Sequence, residues 1–197
     1  MNGPRPLRLG TRRSQLALAQ SAGVADELRR LTGRPVELVE ITTYGDVSRE
    51  ALARIGGTGV FVSALRDALL RDEIDLAVHS LKDLPTAQPP ELALAAVPAR
   101  ADARDALVAR DGLTFERLVV TGRARVGTGS PRRMAQLNAW ARALACEIEV
   151  VPVRGNVDTR LGYVRSGELD AVVLAVAGLH RIGREAEITE RLSPDLM

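Results

Sequence analysis

Residues 74–85 read IDLAVHSLKDLP. Leu76, Ala77 and Val78 form a short apolar run, the pattern of a buried strand, and His79, Ser80, Lys82 and Asp83 follow at once before Pro85. In open α/β sheets ligands bind in the crevice outside the carboxyl ends of the strands, so polar groups gathered there are candidates for a site. A solvated turn would leave the same trace in a single segment. Other strand ends in the chain decide between the two.

Working back from this stretch, residues 6–10 predict a short strand that turns at Thr11-Arg12-Arg13-Ser14. Ser14 is a natural N-cap for a helix over 15–31, where Leu18, Ala22, Ala25 and Leu28 share one face. Gly33-Arg34-Pro35 ends that helix, and residues 36–41 alternate as a second strand. A polar connection over 42–54 leads to Gly56-Gly57-Thr58-Gly59. Phe61, Ala64, Leu65, Ala68 and Leu69 then recur at amphipathic helical spacing and deliver the chain into the opening stretch. A β-α-β-α-β order of this kind predicts a mainly parallel sheet with right-handed crossovers.

Working forward, residues 92–97 read as a further strand and 99–103 as a hinge. The alternation then restarts, with strands at 106–109, 125–128, 148–153 and 171–175. Helices are expected over 131–144 and 157–166, with a short one through His180. The expected fold class is therefore α/β, in two units of similar size, 1–99 and 100–197, each with a mainly parallel, mixed sheet. Trp140 and Phe61 are expected in helix cores, whereas Asp102, Asp105, Glu147 and Glu149 show no paired geometry.

Composition narrows the function. Twenty-seven basic and 25 acidic residues leave a net charge of +2, and aromatic residues make up 3%, a balance unlike a nucleic-acid-binding surface. Every basic residue but Lys82 is Arg, the side chain suited to bidentate recognition of carboxylate or phosphate. One cysteine, Cys146, and two histidines, His79 and His180, give no disulfide framework and no metal-ligand set. With no signal-peptide core and no apolar run near the ~20 residues of a membrane span, a cytoplasmic, reduced setting is expected.

The chemistry gathers at corners. Gly127-Thr128-Gly129-Ser130-Pro131-Arg132-Arg133 combines an N-cap, a proline at the first helical position and two arginines beside the open N–H groups of a first turn, an anion site. Val153-Arg154-Gly155-Asn156 ends a strand in an arginine, a sharp turn and a cap, and Arg160 lies one turn along. With Arg12-Arg13-Ser14, three strand-to-helix corners join an N-cap to arginine. One basic corner alone is an exposed turn; three at corresponding positions argue for a shared cleft that takes a polyanion. The glycines match neither a Walker A loop nor a dinucleotide fingerprint, and planar arginine forks suit several carboxylates. Asp83, a carboxylate beside Lys82 in basic surroundings, can accept N–H bonds from a substrate or stabilise a developing cation.

TRRS at 11–14, GGTGVF at 56–61, VHSLKDLP at 78–85, GTGSPRR at 127–133, VRGNVDTRL at 153–161 and LAVAGLHR at 174–181, in this order, closely resemble the hydroxymethylbilane synthase (porphobilinogen deaminase) family. The resemblance runs from Leu7 to Met197. It implies two domains of the type II periplasmic-binding-protein architecture with a cleft between them, followed by a third domain. It also implies a cytoplasmic monomer that deaminates four porphobilinogen units and joins them head to tail, starting from a dipyrromethane cofactor held by a cysteine. By position, Asp83 would be the catalytic carboxylate that contacts pyrrole N–H groups. Arg12, Ser14, Gln20, Lys82, Thr128, Ser130, Arg132, Arg133, Arg154, Gly155, Arg160 and Arg181 would hold cofactor and substrate carboxylates.

Two departures stand out. Thr58 occupies a position where the family commonly has Lys, and the family's returning segment and third domain, with its cofactor cysteine, are expected to be missing after Met197. Cys146 precedes the strand that ends near Arg154, about 20 Å or more from the basic corners at ~3.3 Å per residue, and reads as a small hydrophobe. The expectation is a chain that does not hold the covalent cofactor, is inactive alone and exposes apolar surface. The rival expectation is a non-catalytic polycarboxylate-binding module of the same fold.

Overall fold

A computed structural model describes residues 4–42, 62–87, 89–120 and 122–197. The chain divides into two compact units, Met1–Pro98 and Ala99–Met197. Thr58 and Phe61 lie outside the described residues.

The first unit is built on β1 (Leu7–Arg12), the middle strand of the order β2-β1-β3. It pairs in parallel with β2 (Val36–Ile41) from Leu7 opposite Val36 to Arg12 opposite Ile41, and with β3 (Leu76–Ala77) through Leu9 and Gly10. Helix α1 (Gln15–Thr32) starts where Ser14 Oγ accepts the Ala17 N–H at 3.4 Å. It ends at Gly33, whose left-handed backbone (φ +66°) turns its N–H onto the Arg29 carbonyl. Its apolar face covers Leu9 and Val36, and α2 (Ser63–Leu70) places Leu65 and Ala68 on Ile74. Asp75 fastens β3 to β1 by accepting the Arg8 backbone N–H at 2.8 Å and the Arg8 guanidinium at 3.0 and 3.2 Å, with Arg5 also on it.

Three sequence expectations change here. Strand β1 runs on to Arg12, so that arginine is the last residue of the strand. Val78 lies beyond β3, although its N–H still reaches the Gly10 carbonyl at 3.1 Å. Residues 92–97 form no strand: the Leu92 N–H closes a turn on the Pro89 carbonyl, and Leu94 and Val97 are 51% and 62% exposed. An apolar run becomes a strand only when a neighbour takes its backbone groups, and no described strand does.

The second unit holds a five-stranded sheet in the order β6-β5-β7-β4-β8. Its strands are β4 (Asp105–Ala109), β5 (Ala124–Thr128), β6 (Ile148–Pro152), β7 (Ala171–Ala175) and β8 (Glu190–Arg191). Strand β5 is parallel to β6 and β7, and β4 is antiparallel to β7 and β8. Alternation along β4 sends Leu107 and Ala109 to one face, with Phe115, Leu137 and Trp140, and Ala106 and Val108 to the other, with Leu161, Leu169 and Leu179.

Four helices complete this unit: α3 (Phe115–Val120), α4 (Pro131–Ala143), α5 (Val157–Arg165) and α6 (Val176–Arg181). The Phe115 and Trp140 rings stack at 3.8 Å, so Trp140 is in the core as its position implied. Helix α3 and strand β8 have no counterpart in the sequence reading. Among the described residues no helix is long and apolar enough to cross a membrane, and no group of three or more His, Cys, Asp or Glu could hold a metal ion.

Candidate functional site

In the first unit, β1 and α1 deliver Arg12, Ser14 and Gln20 to the hollow that β3 reaches through Val78, His79, Ser80 and Asp83. Its volume is about 60 Å³, room for one carboxylate group or a few waters. The chain passes this point as a single 3-10 turn, Leu81–Asp83, in which the Asp83 N–H bonds to the Ser80 carbonyl at 3.0 Å. That turn leaves Lys82 exposed and brings Asp83 back, half-buried, into the hollow. His79 Nδ1 lies 3.2 Å from the Ser80 carbonyl oxygen, which it meets as an N–H donor. Below the hollow a buried pair ties β1 to α1: the Ser21 hydroxyl donates to Thr11 Oγ1 at 2.7 Å. The sequence reading passed over this pair, whose only signal is two small polar residues on otherwise apolar faces.

In the second unit the two corners at the ends of β5 and β6 adjoin. The Val153 N–H bonds to the Thr128 carbonyl at 3.1 Å, and a Cβ built on Gly129 would lie 2.8 Å from the Val153 carbonyl oxygen. Thr128 is fully buried, with its hydroxyl accepting the Ser130 N–H at 3.3 Å, so it shapes the corner and its side chain is not open to a ligand. Ser130 caps α4 at Arg133 N, and Asn156 caps α5 at Thr159 N. Gly155 has φ +99°, and a Cβ there would sit 2.7 Å from Thr159, so no other residue fits this turn without strain.

The arginines divide by role. Arg132 is exposed and makes no ion pair among the described residues. The Arg160 Nε donates to the Gly155 carbonyl at 3.0 Å, which orients its guanidinium along the corner. Burial, then the positive charges of Arg133 and Arg154, lower the proton affinity of Arg160. Arg133 is engaged: its Nε and Nη2 donate to the Asp105 carboxylate at 2.7 and 2.6 Å, and its Nη1 reaches the Val173 carbonyl at 3.4 Å. Asp102 likewise takes a guanidinium, that of Arg104, at 2.7 Å. Arg181 ends α6, exposed and without an ion pair among the described residues.

A larger hollow, about 580 Å³, opens beside Glu116, Val120, Arg123, Leu144, Cys146 and Glu147. It lies where β6 begins, at the other end of that strand from Arg154, and brings two carboxylates to one guanidinium, the wrong balance for an anion. Half-buried Cys146 points its thiol at the Ala141 carbonyl, 3.6 Å away.

Residues 7–197 match the family model described as porphobilinogen deaminase, dipyromethane cofactor binding domain. The chain is 76% identical over 192 residues to porphobilinogen deaminase 1 of Streptomyces avermitilis, an alignment covering 96% of this chain and 59% of that protein. With porphobilinogen deaminase of Thermobifida fusca it shares 60% identity, over 96% of this chain and 58% of the relative. The chain thus spans less than two thirds of the length of these relatives. Among solved structures, it aligns with the probable amino-acid ABC transporter extracellular-binding protein YtmK of Bacillus subtilis. That alignment has 12% identity and a TM-score of 0.43, over 96% of this chain and 78% of the other, a level that carries no argument.

Proposed function

The chain belongs to the porphobilinogen deaminase family, and from that premise we propose that it supplies the reacting carboxylate and the carboxylate-binding arginines for making hydroxymethylbilane. In that reaction four porphobilinogen molecules lose ammonia and join head to tail. The observation that carries the reading is the position of Asp83, half-buried in a hollow with Arg12, Ser14 and Gln20. A module that only bound anions would gain nothing from a negative charge there. Loss of ammonia from porphobilinogen leaves a cationic methylene-pyrrole, and a fixed carboxylate stabilises that charge as it develops while accepting the ring N–H.

Porphobilinogen carries an acetate and a propionate, and the corners offer matching donors. Arg12 and Ser14 act in the first unit; Ser130, Arg132, Arg154 and Arg160 act in the second, with the Gly155 turn giving the backbone its close approach. Lys82 and Arg181, both exposed, complete the set of cations we assign to substrate or cofactor carboxylates. The dipyrromethane cofactor, when bound, supplies the pyrrole end from which the chain grows, and the arginine corners of the second unit fit its acidic side chains. Cys146 is not its anchor in this reading, because it sits at the far end of β6. The proposal includes a monomeric, cytoplasmic protein that does not engage nucleic acid, in keeping with 27 basic against 25 acidic residues.

The test is proton NMR of porphobilinogen mixed with the chain. The pyrrole N–H resonance is expected to move downfield on binding, and the Asp83→Asn variant is expected to abolish most of that shift while still binding. An equal shift in the variant would contradict the assigned role.

A further inference from the structure

Beneath the hollow of the first unit, two hydroxyls stand where the packing around them calls for apolar groups. Leu9 and Thr11 face α1 from alternate positions of β1, and Ser21, Ala25 and Leu28 face the strand from α1 at helical spacing. Thr11 and Ser21 are both buried. A serine inside a helix ordinarily gives its hydroxyl proton to a carbonyl one turn back. Here Ser21 Oγ donates across the interface to Thr11 Oγ1 at 2.7 Å, and the Thr11 hydroxyl donates in turn to the Arg12 carbonyl at 3.3 Å. Each member adjoins a residue that lines the hollow, Arg12 after Thr11 and Gln20 before Ser21. We propose that Ser21 is a positioning residue that acts through Thr11 on Arg12, holding the end of β1 against α1 so that Arg12 meets a substrate carboxylate.

The inference rests on the carboxylate-binding reading above and adds to it how one of the binding arginines is aimed. Apolar side chains would fill the same space, but the hydrophobic effect has no direction and lets a strand end slide. A hydroxyl bond of 2.7 Å fixes both a separation and an angle. Burial makes the bond demanding, because either hydroxyl left alone has no water to replace its partner. The strand needs a hold at this point. Arg12 is the last residue of β1, and the pairing with β3 stops at Gly10, so Thr11 and Arg12 have a strand partner only in β2. The Ser21 bond is a second tether, from the helix layer. Without it the strand end spends part of its time with Arg12 off target, and affinity falls with the fraction that is competent.

The experiment measures porphobilinogen affinity by calorimetry in the parent chain, Ser21→Ala, Arg12→Met and the Arg12→Met/Ser21→Ala double variant. Ser21→Ala is expected to bind about fivefold more weakly than the parent, the bias that one net hydrogen bond supplies. In the Arg12→Met background the same change is expected to alter affinity by less than about 1.5-fold, because no guanidinium is left to aim. The salt dependence of binding should flatten in Ser21→Ala as it does in Arg12→Met, which a loss of packing would not produce. Ser21→Ala binding like the parent, an equal loss in both backgrounds, or an unflattened salt dependence overturns the inference alone. Arg12→Met binding like the parent, or a parent that binds no porphobilinogen, overturns the inference and the carboxylate reading together. Should Ser21→Ala fail to fold, Thr11→Val/Ser21→Ala decides in the same two backgrounds, since removing both hydroxyls leaves neither orphaned. The same loss of about fivefold is expected with Arg12 present, and binding like the parent there ends the proposal.

Discussion

Adding one methyl group at Gly129 should damage both the fold of the second unit and its anion site. A Cβ at this position would stand 2.8 Å from the Val153 carbonyl oxygen and 3.3 Å from Arg160 Nη2. Ordinary C···O contacts fall at about 3.3 Å or more, so roughly half an ångström must be found. The carbonyl is not free to give it, because the Val153 N–H is fastened to Thr128 at 3.1 Å. Overpacking of this kind costs about 1–3 kcal/mol. For a unit of this size about 2 kcal/mol corresponds to about 8–16 °C in melting temperature. Gly129→Ala is therefore expected to lower the melting transition of the second unit by that amount in calorimetry and to weaken binding of citrate, a polycarboxylate probe, about three- to tenfold by displacing Arg160. Gly162 is the control. It sits in α5 with nothing within 4 Å of its built Cβ, so Gly162→Ala should stabilise by about 0.4–1 kcal/mol. If Gly129→Ala melted within about 0.5 kcal/mol of the parent and bound citrate equally well, the proposed junction of the two corners would be refuted.

Other perturbations have equally direct readouts. Phe115 is fully buried and stacked on Trp140, so Phe115→Ala should cost the second unit about 3–5 kcal/mol in denaturant unfolding; a loss below about 1 kcal/mol would deny that this stack anchors the core. The hydrogen bonds from the Arg8 side chain and then its backbone N–H, with the charge of Arg5, hold the Asp75 carboxyl far below its ordinary value. A depressed folded-state value means stability that is complete above the unfolded value near pH 4 and lost as the pH falls below it. The first unit should accordingly unfold more readily below about pH 4, and Asp75→Asn should remove that part of the acid dependence; an unchanged acid profile in the variant would count against the clamp. Intact mass after exposure to porphobilinogen should show no pyrrole adduct on Cys146, and a mass increment removed by Cys146→Ser would reverse its assignment as a bystander.

The parts of the molecule that were legible in the sequence are those fixed by local chemistry. Ser14, Ser130 and Asn156 cap their helices as their residue types implied, because an N-cap bonds to a backbone group three residues away. The apolar spacing of Ala25 and Leu28 placed α1 on its sheet for the same reason. What escaped depends on partners far along the chain. Helix α3 has only six residues, and its Phe115 N–H is taken by the Glu190 carboxylate 75 residues away, at 2.7 Å. The Asp105 fork on Arg133 spans 28 residues and exists only once β4 and α4 have packed. Residues 92–97 have strand-like composition, but pairing is a property of two segments, and composition reports on one. At the site, sequence spacing brought Asp83 towards Arg12 and Ser14, whereas the burial of Thr128 followed from the contact of the two corners, which no single motif encodes.

The most direct test of carboxylate recognition is calorimetric titration of porphobilinogen into the purified chain, compared with its dimethyl ester. Binding of the diacid is expected to weaken as salt rises and to fall about tenfold or more in Arg154→Met, with the ester binding at least tenfold more weakly than the acid. Equal affinity for acid and ester, or an Arg154→Met variant that binds like the parent, would contradict the claim that these arginine corners read the substrate through its carboxylates.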